Sequence, residues 1–250
     1  MITTEQVGAD GAVTLLRIEH GPVNALDLWL CREITAHLVE LRARGPVVIT
    51  GSGRAFSAGV DLRAMLDGGG AYVREFVPAL DELFRVAFFL PVPVVAAVNG
   101  HAIAGGAILA SAADAVLMAD GRGRIGLPEL KVGVPLPRSG LEILHHRAGR
   151  TALRRLVLGA LTHTPSEAVE LGLVDRTVDE AKLLEDAVTA AEQYARLTPA
   201  DAFAMTKAQL RFEATERIEK ADEADLVELW CRRVEDGWTA RYLEQATAKR

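Results

Sequence analysis

Arg54-Ala55-Phe56-Ser57-Ala58-Gly59-Val60-Asp61-Leu62 lies between a short apolar run and a helical pattern, and its reading decides the fold. Upstream, Pro46 to Thr50 reads as a short buried strand and Gly51 to Gly59 as a glycine-rich loop. Downstream, a helix starts near Asp61. Strand, turn and helix in that order make one α/β unit. Ala58, Gly59 and Val60 form a strand-to-helix turn whose small residues let the backbone approach a ligand. The Val60 N–H then points outward near the start of the helix.

Working outward, the pattern recurs. Val13 to Glu19 alternates and is rich in β-formers, until His20-Gly21-Pro22 breaks it into a turn. Leu28 to Arg44 places Leu30, Ile34, Leu38 and Leu41 at helical spacing. Tyr72 to Phe89 is helical and joins the helix at Asp61 through Gly68-Gly69-Gly70, a flexible joint between helices rather than a linker between domains. Val92 to Val98 is a β-branched run, Gly105 to Ala113 a helix of small residues, and Ala115 to Met118 another strand. Short buried strands alternating with helices imply an α/β domain with mostly parallel connections. After Arg150 the chain is rich in Ala, Leu, Glu and Arg, and only Val174 to Val178 reads as a strand.

Composition narrows the function classes. With 250 residues and half of them hydrophobic, the chain can bury one large core. A net charge of -6 lacks the basic face that nucleic-acid binding needs. Cys31 and Cys231 belong to no CxxC or Cys/His cluster, which suits a reducing cytoplasm. Met1 to Ile18 has no basic-then-apolar leader pattern, and no uncharged apolar run reaches the roughly 18 residues of a membrane span, so a soluble, unprocessed chain is expected. His145 and His146 lack acids at ligand spacing, and no metal is expected. His101 follows a glycine at a turn and reads as structural or solvent-facing. There is no GxSxG elbow, and Gly51-Ser52-Gly53 lacks the third glycine of a dinucleotide fingerprint. Trp29, Trp230 and Trp238 read as packing or subunit contacts.

Four segments carry a resemblance. Gly21-Pro22-Val23-Asn24-Ala25-Leu26, the Arg54 to Leu62 block, Val98-Asn99-Gly100-His101-Ala102-Ile103-Ala104-Gly105-Gly106 and Ile125-Gly126-Leu127-Pro128-Glu129-Leu130 closely resemble the signature blocks of the crotonase (enoyl-CoA hydratase/isomerase) family, in the same order and at similar spacing. Thr164 to Ala168, followed by Leu171-Gly172-Leu173-Val174, is similar to the family's downstream helix-turn-strand. The resemblance implies a crotonase-like ββα spiral core over residues 1–195 and a helical C-terminal trimerisation region over 196–250. It also implies homotrimers or hexamers, with the tail wrapping a neighbour and helping to close the acyl pocket. The ligand it implies is an acyl-CoA thioester, with no separate cofactor because coenzyme A is part of the substrate.

The residues support the same site. Gly105 stands before its helix as Val60 stands before the one at Asp61, so two amides at helix N-termini would make an oxyanion hole for a thioester oxygen. Glu129 lies in an otherwise apolar stretch, where desolvation raises a carboxyl pKa toward the range useful to a general base. By resemblance its position matches a glutamate that moves protons in many members. Backbone groups of Ala25, Ala58, Gly59, Asp61 and Leu62 are implied to hold the coenzyme A moiety. Arg54, Arg63 and Lys207 are candidate phosphate partners, though each residue type is more often a solvated surface charge.

One departure points to the reaction. The family's hydratases carry a second glutamate where this chain has Ile108, and hydration wants two carboxylates around one water. The turn Val134-Pro135-Leu136-Pro137-Arg138 also differs from the Pro-Gly-Ala-Gly-Gly turn common in them. The expectation is therefore an enoyl-CoA isomerase that shifts a 3-enoyl double bond to the 2 position. A hydratase with one glutamate and a non-catalytic acyl-CoA-binding protein stand as alternatives.

Overall fold

The computed structural model describes residues 1–197 and 199–248. A larger sheet runs in the order β1 (Ile2–Val7), β2 (Val13–Ile18), β3 (Val47–Gly51), β5 (Val94–Val98), β7 (Ala115–Ala119), β10 (Arg176–Val178), parallel except for the β1–β2 pair. A smaller sheet runs β4 (Ala55–Ser57), β6 (His101–Ile103), β8 (Ile125–Gly126), β9 (Thr162–His163), with only β9 antiparallel. Three consecutive segments each send one strand to the large sheet and the next to the small one, then form a helix. Those helices are α2 (Leu62–Phe88), α3 (Gly105–Ser111) and α4 (Glu129–Val132). This is the ββα spiral the motifs imply.

The apolar runs explain the large sheet. Every residue of β3, β5 and β7 is buried, as expected of parallel strands covered on both faces. On one face, α7 (Leu183–Leu197) buries Ala187 and Ala191 against Leu15, Val48 and Val95. On the other, α1 (Leu28–Glu40) and α2 form the main core, in which Phe76, Phe84 and Phe88 are fully buried at roughly 1.5–3 kcal/mol each. Helix α2 is broken at Gly69 (φ 61°, ψ -158°), which joins the two expected helices into one bent element.

The tail comprises α5 (Arg138–Gly159), α6 (Pro165–Glu170), α7, α8 (Ala200–Leu210), α9 (Phe212–Glu219), α10 (Ala224–Glu235) and α11 (Trp238–Ala248). A charged hub ties it down. Asp114 accepts from Lys207 Nζ and Arg211 Nη2, each at 2.7 Å, where α8 meets α9. Lys207 Nζ also donates to Val92 O at 2.9 Å, and Arg211 donates to Phe88 O. Lys207 is thus a buried structural cation with its partners assigned, which corrects its candidacy as a phosphate partner. Helix α10 lies on α2 of its own chain, held by two 3.1 Å bonds from Arg74 to Glu228. The end of the tail therefore packs on the core of its own chain. Among the described residues, no helix is long and apolar enough to cross a membrane.

Candidate active site

The first outward amide comes from the turn after β4. Leu26 N–H donates to Gly59 O at 2.7 Å, and Asp61 N–H donates to Leu26 O at 2.9 Å. These two bonds straddle Val60 in a parallel bridge, so the Val60 N–H faces away from Leu26, and Val60 lines the adjoining cavity. Asn24 braces the turn from beneath. Fully buried at φ 52°, it donates to Ser52 O (3.2 Å) and Ala55 O (2.9 Å), while Ser57 Oγ donates to Asn24 O (2.7 Å) and accepts from Gly59 N–H (3.1 Å).

The second amide comes from the turn after β6. Ala104 has φ 52° and ψ -122°, a conformation costing about 1–3 kcal/mol in a residue with a Cβ. Its carbonyl accepts from Ala107 N–H (2.9 Å) and Ile108 N–H (3.1 Å), inside α3. The peptide is trans, so the Gly105 N–H in the same plane points the other way, off the helix N-terminus. Gly59 lets the two turns meet. At φ 83°, a Cβ there would lie 2.5 Å from Ile103 O and 2.9 Å from the Ala104 Cβ.

Glu129 opens the four-residue helix α4, just after β8. It is 8% exposed, and neither carboxylate oxygen has a hydrogen-bond partner. Burial pushes its pKa up to about 7; its own amide pulls the other way without a well-formed bond. It borders a cavity of about 440 Å³ shared with Ala58, Val60, Ala104, Pro128 and Tyr242.

Ala25, Asp61 and Leu62 also line this cavity, as do Arg54 and Arg63, whereas Gly59 and Gly105 lie behind the wall and shape it. Asp61 Oδ1 caps α2, accepting from Arg63 N–H (2.9 Å) and Ala64 N–H (3.1 Å), whereas Glu129 is buried with neither oxygen paired. Ile108 is buried, its side chain packed against Gly140. The tail contributes to the wall through Trp230, Tyr242, Leu243 and Ala246, residues that the sequence reading did not place at the site. Burial and then the nearby Glu129 raise the Tyr242 hydroxyl above its usual range. The amphipathic pattern of α10 and α11 marks a buried face, but not what that face covers.

A two-sheet α/β spiral with two outward turn amides, and a buried carboxyl on the cavity that Val60 and Ala104 line, defines a class of site that can hold an oxygen and move a proton. Comparison with known proteins makes the class specific. The family model described as Enoyl-CoA hydratase/isomerase matches residues 8–235. Human enoyl-CoA delta isomerase 1, mitochondrial, is 30% identical over 223 residues, covering 87% of this chain and 74% of the human protein. A probable enoyl-CoA hydratase of Rhizobium meliloti is 32% identical over 221 residues, covering 86% of this chain and 81% of the relative. The crystal structure of human mitochondrial delta3-delta2-enoyl-CoA isomerase superposes with a TM-score of 0.91 at 28% identity, covering 100% of this chain and 99% of that one. The chain belongs to the enoyl-CoA hydratase/isomerase family, a family of enzymes, and its core has the crotonase fold.

Proposed function

We propose that the protein is an enoyl-CoA isomerase, moving a 3-enoyl-CoA double bond to the 2 position. Glu129 takes a proton from C2, the Val60 and Gly105 amides hold the thioester oxygen of the dienolate, and Glu129 returns the proton to C4. Each amide contributes transition-state stabilisation of about 2.7–4 kcal/mol, the usual worth of an oxyanion donor. Backbone around Ala25, Ala58, Asp61 and Leu62 receives the coenzyme A moiety, and no further cofactor takes part.

The observation that carries this reading is a buried carboxyl, Glu129, with neither oxygen paired, on a cavity that Val60 and Ala104 also line, with Ile108 at the place of a hydratase's second acid. One acid suffices to shuttle a proton; orienting a water for addition calls for two. Exposed Met205, Leu210 and Phe212 around α8 and α9 support a homotrimer, and two buried free cysteines suit a reducing cytoplasm.

The test uses purified protein and 3-hexenoyl-CoA in D2O. The expected result is the 2-enoyl product with deuterium exchange at C2, and a fall of about 10²-fold or more in Glu129→Gln with binding nearly intact. A 3-hydroxyacyl product from 2-enoyl-CoA at a higher rate would make it a hydratase. Tight binding without exchange would make it a carrier.

A further inference from the structure

We propose that Trp230 and Trp238 are positioning residues, holding the Glu129 segment through two main-chain carbonyls. The inference rests on Glu129 being the proton-transfer group. Helix α4 has only four residues, and a helix that short does not hold itself together. Its turn closes on the Glu129 carbonyl, which accepts from Gly133 N–H (2.9 Å) and Val134 N–H (3.1 Å). Pro128 O accepts from Lys131 N–H (2.9 Å) and Val132 N–H (3.3 Å), and Val132, Val134 and Leu136 are buried in the core. Two further main-chain carbonyls are held by the tail. Trp238 Nε1 donates to Lys131 O at 3.1 Å, and Trp230 Nε1 donates to Pro135 O at 3.0 Å. One indole thus grips the chain two residues after Glu129 and the other grips it six residues after.

The two indoles differ in setting, Trp230 buried and Trp238 46% exposed. Trp230, 2% exposed, sits on α10, which is anchored to α2 through Arg74–Glu228 and through the Cys231 thiol to Gly70 O at 3.6 Å. Trp238 begins α11, where its N–H donates to Asp236 Oδ1 at 2.9 Å. Gly133 matches the Trp238 ring closely: at φ 91°, a Cβ there would lie 2.6 Å from Cδ1 and 2.8 Å from Nε1. The same two helices bring Tyr242 to the cavity beside Glu129. The tail therefore does three things at once. It holds the turn that aims the acid, supplies part of the wall that keeps water from it, and closes the acyl end of the cavity.

The experiment uses the full chain with Trp238→Phe and Trp230→Phe, which keep an aromatic ring and delete the N–H. The pH profile of C2 exchange on 3-hexenoyl-CoA is measured beside a 13C-carboxyl titration of Glu129, its signal assigned by its loss in Glu129→Gln. The expected result in each variant is a fall of about tenfold in kcat with KM within about twofold, since one hydrogen bond is lost and the acyl-CoA contacts remain. The acid limb of the profile and the Glu129 titration should both move down by about one pH unit, as water reaches a less firmly held carboxyl. Gly133→Ala, which crowds the Trp238 ring off Lys131, should reproduce the effect from the other side of the contact. Unchanged profiles and an unchanged titration in folded variants overturn the proposal. If Glu129→Gln retains exchange, the isomerase reading fails, while the carboxyl titration in Trp238→Phe still decides whether the tail holds the segment.

Discussion

Replacing Glu129 by Gln should remove a loss of stability at alkaline pH while cutting turnover by about 10²-fold or more. In the folded chain the carboxyl titrates at about 7, against an ordinary 4.5, because burial disfavours the charged form. Between those values the native state keeps a proton that the unfolded chain has released, so stability falls as pH rises through this window. The contribution is fully present below about pH 4.5 and lost above about pH 7. At 1.36 kcal/mol per unit, the 2.5-unit gap is worth on the order of 3 kcal/mol. Gln cannot ionise and does not suffer this loss. Any cost of burying its amide is the same at every pH, so the reading is a difference of differences. Between about pH 5 and pH 8.5 the stability of Glu129→Gln relative to wild type should rise by about 2.5 kcal/mol. For a chain of this size that corresponds to about 5–10 °C in Tm. Paired urea melts at the two pH values, with Tm as a second measure, provide the assay. A gap that stays constant to within about 0.5 kcal/mol would refute the buried, unpartnered carboxyl on which the catalytic reading depends.

Two other substitutions probe the turns and the hub. Gly59→Ala puts a methyl 2.5 Å from Ile103 O and pries apart the turns bearing the two amides, so kcat should fall by about 10²–10³-fold in folded protein, checked by steady-state kinetics beside a melting curve. Lys207→Met removes one of two buried cations from Asp114 and should destabilise by about 3–5 kcal/mol, with coenzyme A affinity of the surviving folded protein unchanged by calorimetry.

The sequence shows most where structure is local. The runs at Val47–Gly51, Val94–Val98 and Ala115–Ala119 are apolar throughout because both faces of their sheet are covered, and they read correctly as strands. Strand β1 has four exposed residues in its middle and no apolar alternation, so only its pairing with β2 reveals it. Strands β4, β6 and β8 have two or three residues each, too few to show a period. Asn24 and Lys207 fail to announce their roles for a different reason. The carbonyls to which the Asn24 side chain donates lie about thirty residues away and the partners of Lys207 about a hundred, and nothing in the neighbouring sequence indicates burial. The motif blocks located the cavity wall because they are the turns themselves. Helices α10 and α11 carry no such turn, so their place over Glu129 depends on contacts that only the fold creates.

Position 108 and the pKa of Glu129 bear on the same chemical choice. A water to be added must be oriented by one carboxylate and activated against another, and here Ile108 fills its space against Gly140, at the boundary of α3 and α5, with no polar atom to offer. A carboxyl titrating near 7 has both its forms well populated at neutral pH. That suits the role proposed for Glu129, a base toward one carbon and then an acid toward another, because neither step has to work against an unfavourable protonation equilibrium. The absence of partners on its oxygens serves the same end: a hydrogen bond to the carboxylate would pull its pKa down and make return of the proton to C4 the harder half of the reaction.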